Sequence, residues 1–226
     1  MSGNVKRRYE SPLRDAQARA TRELILDAAH SLFVDQGYAV TSIRSIAFAA
    51  GVADSTVYSA FGDKVQLLRA VLFRAASGTS DDVLPMESEE ADLVRAETDP
   101  VERLRLLVHR SRLQYERGLA RLEEVLREAA AADPRAVELA REAEQQRWED
   151  TKAEVDMLFT TDSPEPTVPR EEIYDLAWAL GSPAVYLMLV KDREWIPERW
   201  EAWLFEFARA LVIPQDDGHH HAKEHT

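Results

Sequence analysis

Apolar residues recur every three to four positions along most of this 226-residue chain. The segment from residue 20 to residue 36 shows this period most plainly. Its apolar side chains are Leu24, Ile25, Ala28, Ala29, Leu32 and Phe33. Such spacing predicts an amphipathic helix, whereas no segment shows the period of two expected for a half-buried strand. We therefore predict an all-α protein of about nine helices.

Two short helices are predicted after this first one. Gly37 is expected to end the first helix, and Thr41 is the expected N-cap of the next. Gly51 then permits a tight turn whose backbone a Cβ would strain. A further short helix is predicted near residues 54–60. Two short helices joined by a tight glycine turn are a helix-turn-helix.

The second helix of this pair predicts a DNA-contacting face. Its outward side chains are small and polar, so the helix can enter a major groove. Lys64 follows in the first turn of the next helix, where exposed backbone amides also favour an anion. The predicted DNA-binding residues are Arg22, Thr41, Ser42, Arg44, Asp54, Ser55, Thr56, Tyr58, Ser59 and Lys64. Asp54 either caps its helix or accepts a hydrogen bond from a base, and the sequence leaves both possibilities open.

The segment from residue 22 to residue 71 resembles the DNA-binding domain of the TetR family of transcriptional regulators. The matching positions are Ala28-Ala29, Leu32-Phe33, Gly37-Tyr38, Thr41-Ser42-Ile43, Ile46-Ala47, Ala50-Gly51-Val52, Thr56-Val57-Tyr58, Phe61, Lys64 and Leu67-Leu68. The resemblance covers about a fifth of the chain. It implies a homodimer on a palindromic operator, and a C-terminal domain that binds a small ligand and dimerises through its last two helices.

The segment also departs from the family pattern. Ala53 stands where the family often has a serine cap, Ser55 where glycine is common, and Ala60 where an aromatic residue or histidine is frequent. The predicted recognition helix has no Arg, Asn or Gln, the strongest readers of base edges. We therefore expect specificity to depend on Arg44, hydroxyl contacts, DNA shape and the basic N-terminal arm.

Composition shifts divide the chain into four predicted parts. They are a flexible basic arm (1–19), a DNA-binding domain with three helices of helix-turn-helix type (20–75), a larger helical ligand-binding and dimerisation domain (76–213) and a disordered tail (214–226). Within the third part, the polar, acidic stretch after residue 77 is interpreted as a loop. Residues 160–169 are interpreted as a proline-rich linker.

The last two predicted helices carry the expected dimer interface. The segment near 170–192 is apolar on nearly every side and so needs partners on both faces. Paired with the segment at 197–212, it predicts a four-helix bundle between two subunits, with a kink at Gly181-Ser182-Pro183. The alternative is a monomer that holds both helices in one core. The predicted dimerisation residues are Ile173, Leu176, Leu180, Ala184, Leu187, Trp200, Trp203, Leu204, Phe207 and Leu211.

The effector cavity implied by the resemblance is expected among the helices at 99–117 and 134–159 and the start of the helix at 170. Candidate lining residues are Leu106, His109, Arg110, Leu113, Trp148 and Trp178. His109, together with Arg112 or Arg110, suits an acidic ligand. For each of the six, the alternative is an ordinary core or surface residue.

Charge and composition narrow the class of function. Residues 1–75 carry ten basic and seven acidic side chains, a net charge of +3, while the remainder carries −16. This asymmetry favours a polyanionic partner for the N-terminal part. The chain has no cysteine, which excludes disulfides, thiol nucleophiles and cysteine-based zinc sites. It has no apolar run of about 20 residues and no signal-peptide core, so we expect a cytoplasmic protein without membrane association.

Enzymatic function is not expected. Most acidic residues alternate with arginines at helical spacing, as surface ion pairs do. The chain shows no nucleophile elbow, phosphate loop, dinucleotide fingerprint or zinc-protease motif, and we expect neither a cofactor nor a metal site.

The sequence therefore predicts a sequence-specific DNA-binding transcriptional regulator, a ligand-responsive repressor acting as a homodimer on a palindromic operator. One alternative is a helical small-molecule-binding protein or enzyme whose helix-turn-helix is only structural. Another is a nucleoid-type binder without ligand control. The sequence does not distinguish a repressor from an activator, and it does not identify the operator, the effector or the regulated genes.

Overall fold

The computed structural model describes residues 12–79, 84–159, 166 and 168–212. Within these ranges the protein is all-α, as predicted, with eleven helices instead of about nine and no strand. The helices are α1 (Pro12–Val40), α2 (Ile43–Ala50), α3 (Asp54–Phe61), α4 (Lys64–Ser77), α5 (Glu89–Ala96), α6 (Pro100–Glu116), α7 (Leu119–Ala132), α8 (Pro134–Asp156), α9 (Arg170–Leu180), α10 (Pro183–Leu187) and α11 (Pro197–Val212). A 3₁₀ turn spans Pro85–Glu87, and a π-helical turn spans Met188–Asp192.

The described residues form two compact units. The first combines residues 12–79 with residues 121–141, and the second combines residues 84–120 with residues 142–212. The predicted boundary near residue 75 treated the N-terminal domain as one continuous segment. The structure differs because most of α7 and the start of α8 fold with the N-terminal helices.

The first unit is built around the apolar face of α1, which contacts both α2 and α4. Ile25, Ala29 and Phe33 lie on this face and are fully buried. Leu24, predicted to lie on the same face, is exposed, and Leu26 is buried in its place. Burial of these side chains stabilises the unit by removing apolar surface from water.

The predicted helix end at Gly37 is a sharp local break. Gly37 has φ 79° and ψ 178°, a conformation that is essentially restricted to glycine. A Cβ at this position would also lie 2.7 Å from Oε2 of Glu128 on α7. The Glu128 carboxylate accepts a hydrogen bond from Arg121, whose Nε donates to the Val34 carbonyl at 3.3 Å. The chain thus changes direction at the point where α7 approaches α1.

The second unit has an aromatic core. The rings of Tyr115, Tyr186 and Trp200 lie 4.8 to 5.5 Å apart between centroids, and Trp200 is fully buried. Edge-to-face and tilted ring pairs of this kind add to the stability from area burial. They connect α6, α10 and α11, the helices that carry these three residues.

The segment after residue 77 was wrongly interpreted as a loop throughout. Ser88 caps α5 by accepting a hydrogen bond from the Ala91 amide at 3.3 Å, and Ala91 and Val94 are buried. The acidic composition concealed a short helix with only two core residues. Residues 80–83 lie outside the described part of the chain.

The kink predicted at Gly181-Ser182-Pro183 is confirmed. The helical segments on either side are bent by 43°. Ser182 caps α10 by accepting from the Val185 amide at 3.3 Å. Among the described residues, no single helix is long and apolar enough to cross a membrane. The bent pair formed by α9 and the segment Pro183–Asp192 reaches that length and apolar character together.

The arm predicted over residues 1–19 is partly helical, because α1 already begins at Pro12. Residues 1–11, the tail from residue 213 and most of the linker at 160–169 lie outside the described residues.

Replacing Gly37 should destabilise the protein more than replacing Gly51. Gly51 has φ 68° and ψ 30°, and a Cβ added there would have no atom within 4 Å. We expect Gly51→Ala to cost about 1 kcal/mol, and Gly37→Ala on the order of 3 kcal/mol. Urea unfolding of the two variants and the parent chain measures both. Equal losses would contradict the strain assigned to Gly37.

Candidate nucleic-acid interface

Helices α2 and α3 form the predicted helix-turn-helix. Gly51 adopts the left-handed conformation, and the Val52 amide donates to the Ala47 carbonyl at 3.0 Å. The buried contact residues of the two helices are Ile43, Ile46, Ala47, Val57 and Phe61. Because one face of each short helix is buried, the opposite faces are fixed in orientation.

The start of α2 corrects the role predicted for Thr41. The N-cap is Ser42, which forms a reciprocal capping box with Ser45, each bond 3.0 Å long. Thr41 is only 1% exposed, and its hydroxyl lies 2.8 Å from the Gly37 carbonyl and 3.1 Å from the Leu32 carbonyl. Its side chain is therefore committed to the interior and is not available to a phosphate.

Ser42 and Arg44 remain at the surface of α2, as predicted. Phe48 lies one helical turn after Arg44 and is 88% exposed. Sequence analysis missed this residue, although the apolar period of α2 at positions 43, 46 and 47 excludes position 48 from the buried face. An exposed aromatic beside an arginine extends the candidate interface beyond hydroxyl groups.

The start of α3 settles one of the two possibilities for Asp54. The N-cap is Ala53, which provides no side-chain hydrogen bond, and Asp54 is the first residue of the helix. Asp54 is therefore not the cap. A contact between its carboxylate and a base stays a prediction.

The outward face of α3 is polar, as expected. Ser55, Tyr58 and Ser59 are exposed together with Asp54, and Thr56 is partly exposed. Tyr58 keeps 54% of its surface accessible. A hydroxyl on an accessible helix face can donate to a phosphate oxygen.

Arg22 lies close to the end of α3. Its guanidinium carbon is 4.5 Å from the centre of the Phe61 ring, a cation–π distance. The side chain is partly buried.

Lys64 occupies a different environment from the one expected. Its ammonium donates to the carbonyls of Tyr38 and Thr41, both at 2.9 Å, and lies 3.8 Å from the centre of the Tyr38 ring. Burial lowers the pKa of Lys64 from its ordinary value. Two of the three ammonium donors thus hold the chain between α1 and α2. A phosphate contact through the third donor stays a prediction.

The six candidate effector residues are spread over different environments in the second unit. Arg110 is 4% exposed, pairs with Glu154 and donates to the Pro85 carbonyl at 2.9 Å. His109 instead faces α11, with its Nδ1 3.0 Å from a carboxylate oxygen of Glu201. Leu106 packs at the edge of the apolar core, and Leu113 is partly buried.

Trp148 and Trp178 do meet, with ring centroids 6.4 Å apart in an edge-to-face arrangement. Arg147 lies over the Trp178 ring at 4.4 Å and donates to the Trp178 carbonyl at 3.1 Å. Nε of Arg147 and Nε1 of Trp178 are buried without a hydrogen-bond partner, as is Nε of Arg110. Unsatisfied buried donors are costly, and Nε1 of Trp200 in the aromatic core is a fourth such donor.

Two partly buried acidic residues that sequence analysis overlooked lie near Arg110. Burial raises the pKa of both Asp150 and Glu154, and Arg110 acts against that rise in each case. Their spacing of four along α8 was visible, but the surrounding charged residues made the whole helix resemble a solvated face. Among the residues described, no group of three or more potential ligands is arranged to hold a metal ion.

The predicted dimerisation residues divide by burial. Ile173, Trp200 and Leu204 are buried in the core of the second unit, so their side chains are not free to form a surface. Phe207 is 39% exposed, and Ala184 is also exposed. The remaining members are partly buried: Leu176, Leu180, Leu187, Trp203 and Leu211.

Sequence comparison identifies relatives of the first unit. Residues 25–71 match the family described as bacterial regulatory proteins, tetR family. The segment is similar to TtgW, an uncharacterized HTH-type transcriptional regulator of Pseudomonas putida, at 44% identity over 57 residues. It is equally similar to SrpR, an HTH-type transcriptional regulator from the same species, at 44% over 57 residues. Each alignment covers 25% of this chain, but only 42% of TtgW and 27% of SrpR.

Comparison of structures extends the similarity over most of the chain. NalD, the secondary repressor of the MexAB-OprM multidrug efflux pump in Pseudomonas aeruginosa, superposes with a TM-score of 0.63 at 22% identity, covering 88% of this chain and 100% of NalD. The fatty acid degradation regulator FadR of Bacillus halodurans gives a TM-score of 0.63 at 18% identity, covering 89% of this chain and 96% of FadR. At these identities the comparison shows a shared fold.

Proposed function

We propose that this chain, which belongs to the TetR family of bacterial regulatory proteins, is a DNA-binding transcriptional regulator that acts as a ligand-responsive repressor. The observation that carries the proposal is the polar face of α3, held outward by the buried contacts of the helix-turn-helix. In this proposal the protein binds a palindromic operator as a homodimer. The two recognition helices then enter successive major grooves about 34–36 Å apart.

The exposed residues of α3 are proposed to contact the major groove and its borders. Tyr58 and Ser59 donate hydroxyl hydrogens to phosphate oxygens, which set the position of the helix. Asp54 accepts from a cytosine amine. Ser55 and Thr56 are small enough to let α3 approach the base edges.

Helix α2 is proposed to supply the contacts that α3 lacks. Ser42 and Arg44 are exposed at its start, next to the fixed turn after α1. Arginine forms bidentate contacts with guanine, and an apolar group can contact a thymine methyl. We therefore include Phe48 with Arg44 as candidate determinants of sequence preference.

Dimerisation is proposed through the accessible parts of α10 and α11. Phe207 and Ala184 are exposed, and Met188, in the π-helical turn after α10, is 54% exposed. The fold shared with NalD, which is a secondary repressor, supports the proposed role as a repressor.

The effector is proposed to bind in the interior formed by α6, α8 and α9. Trp148 and Trp178 offer aromatic surface there, and the unpaired donors of Arg110 and Trp178 suit a ligand with acceptor atoms. An effector that favours a conformation with the wrong operator spacing opposes DNA by linkage.

The proposed DNA face is tested first. We expect Tyr58→Phe to lower operator affinity on the order of 10-fold, because a hydrogen bond to a charged phosphate is lost. Arg44→Ala should weaken binding and, where Arg44 meets a phosphate, reduce the slope of log K against log salt by about 0.9. The probe is a duplex that the parent chain selects from random-sequence DNA, titrated with unrelated competitor present.

Arg95→Ala is the matched control, because Arg95 is an exposed arginine of α5 that pairs with Asp92. It should leave DNA affinity unchanged. Unchanged affinity in Tyr58→Phe and Arg44→Ala would contradict the assigned face. Selection of no preferred sequence, together with a steep salt slope, would instead favour the nucleoid-type alternative.

The dimer surface is tested by placing a charge on α11. Phe207→Glu puts a carboxylate into the proposed apolar interface, where an unpaired charge is strongly disfavoured. Sedimentation equilibrium should show a dimer for the parent chain and a shift towards monomer for the variant. Leu93→Glu, at an exposed leucine of α5, is the control and should remain dimeric. A parent chain that sediments as a monomer would contradict the homodimer.

The effector is tested with a panel of aliphatic carboxylates, aromatic carboxylates and organic cations. A compound that binds should raise the thermal midpoint of the parent chain and, by reciprocity, release the selected duplex. Trp178→Phe should weaken both effects by at least about 3-fold, because the ring edge and its indole donor change. Trp195→Phe is the control, since Trp195 packs against Trp203 elsewhere in the second unit.

Binding that leaves DNA affinity unchanged would contradict ligand control. A compound converted to product would favour the alternative of an enzyme with a structural helix-turn-helix.

A further inference from the structure

The turn between α7 and α8 folds with the helix-turn-helix, although sequence analysis assigned it to the C-terminal domain. Asp133 is the residue that separates the two helices, and it lies in the first unit. The Tyr38 hydroxyl donates to Oδ2 of Asp133 at 3.0 Å. The two residues are 95 positions apart in the chain. A distant segment therefore meets the chain at the point where α1 ends.

Tyr38 connects this contact to the start of α2. Its ring is buried, stacks on Phe33 at 6.1 Å and carries the Lys64 ammonium on its face. The same ammonium donates to the carbonyls of Tyr38 and Thr41. The positions of Asp133, Tyr38, Lys64 and Thr41 are thus coupled through adjacent contacts.

Arg135 makes a second connection to the N-terminal helices. It holds Asp133 through Nε at 3.1 Å and Nη2 at 2.8 Å, and its Nη1 reaches Oδ2 of Asp63 at 3.3 Å. Asp63 is the N-cap of α4 and accepts from the Gln66 amide at 2.9 Å. The α7–α8 turn therefore contacts residues on both sides of the helix-turn-helix: Tyr38 before α2 and Asp63 at the end of the α3–α4 connection.

The charge states fit this arrangement. Hydrogen bonds from Arg135 hold the pKa of Asp133 below its usual range, so its carboxylate is an acceptor at neutral pH. Burial, followed by the hydrogen bond to Asp133, raises the pKa of Tyr38, so its hydroxyl keeps the proton that it donates. The donor and acceptor assignments of the pair are therefore determined.

We infer that Asp133 is a positioning residue for DNA binding, acting through Tyr38 on the turn that presents Ser42 and Arg44. Arg135 supports it by orienting the carboxylate and by contacting Asp63. The side chain of Arg135 is 64% exposed, and exposed ion pairs contribute little to global stability. The main effect of the Asp133 and Arg135 contacts is therefore to fix the positions at which α2 and α4 begin. The DNA part of this inference rests on the proposed function.

Two substitutions remove the contact, and Asp133→Ser also removes the ion pair with Arg135. Tyr38→Phe deletes the hydroxyl and keeps the ring on which Lys64 lies. Asp133→Ser keeps an oxygen that can cap α8, where the Arg135 amide donates to the present carboxylate at 3.0 Å, but it is too short to reach Tyr38. Asp133→Asn keeps the length, and its amide oxygen can accept from the Arg135 amide while its NH2 donates to the Tyr38 hydroxyl oxygen, so it serves as the rescue variant.

Two further variants are controls. Tyr174→Phe removes a tyrosine hydroxyl that donates to Asp156 in the second unit, which is the same chemistry away from the helix-turn-helix. Val71→Ala truncates a fully buried side chain of α4 and provides a destabilised chain in which the Tyr38–Asp133 contact is intact.

Amide hydrogen exchange and DNA titration are measured on all five variants. We expect Tyr38→Phe and Asp133→Ser to exchange about 5-fold faster at the Ser45 and Ile46 amides, which donate to Ser42 at the start of α2. We expect both to bind the selected duplex about 5-fold more weakly. Asp133→Asn should recover most of both losses, and Tyr174→Phe should change neither.

Two results would overturn the inference. One is that Tyr38→Phe and Asp133→Ser lose no more DNA affinity than Val71→Ala does for the same fall in thermal midpoint. A general loss of stability would then account for the weaker binding. The other is unchanged exchange at Ser45 and Ile46 in Tyr38→Phe. If the parent chain selects no duplex, the proposed function itself fails and with it the DNA part of the inference, while the exchange of these amides still decides the positioning of the turn.

Discussion

The Lys64 ammonium is the interaction on which the arrangement of the first unit depends. A helix that ends leaves carbonyl groups without intrahelical partners, and the break at Gly37 creates such an end immediately before the helix-turn-helix. Lys64 satisfies the carbonyls of Tyr38 and Thr41 from the first residue of α4. Lys64 follows α3, and its carbonyl partners precede α2. One side chain therefore joins the residues before the helix-turn-helix to the helix after it. The Lys64 ammonium also lies over the Tyr38 ring. This cation–π contact compensates part of the free-energy cost of burying the ammonium.

The contacts of Lys64 matter for the candidate DNA face because they help to fix the positions of α2 and α3. The helix-turn-helix has only a few fully buried side chains between α2 and α3, so its two exposed faces depend on neighbouring elements for their relative position. Recognition by hydroxyl groups is sensitive to geometry, because O–H···O hydrogen bonds fall within about 2.5–3.0 Å and weaken steeply below an angle of about 120°. A recognition helix without long, adaptable Arg or Gln side chains therefore requires a well-fixed scaffold. Thr41 contributes to that scaffold by remaining buried, and Ser42 contributes by capping α2.

Much of the fold follows from local pattern, whereas the errors at the candidate DNA face come from contacts distant in sequence. The helical period, the stop at Gly37, the turn at Gly51 and the kink before Pro183 are properties of neighbouring residues, and the structure confirms them. Thr41 and Ser42 are adjacent and both can cap a helix. What separates them is the burial of Thr41 against carbonyls of α1, which no local pattern reveals. For the same reason, no local pattern reveals that Lys64 donates to carbonyls 23 and 26 residues earlier in the chain.

The interior of the second unit shows the same limit for a candidate effector site. Helix α8 carries charged residues on almost every turn, so Asp150 and Glu154 resemble members of a solvated surface in the sequence. Only the approach of α6, which brings Arg110 to Glu154, distinguishes them from that surface. The density of charged residues along a helix therefore does not predict which of them are exposed. A buried arginine such as Arg110 can pair with an acidic residue of a neighbouring helix. Its Nε is left without a hydrogen-bond partner. The buried charges and unpaired donors of this interior are costly for stability. In the proposed function, an effector bound in this interior supplies acceptor atoms to these donors.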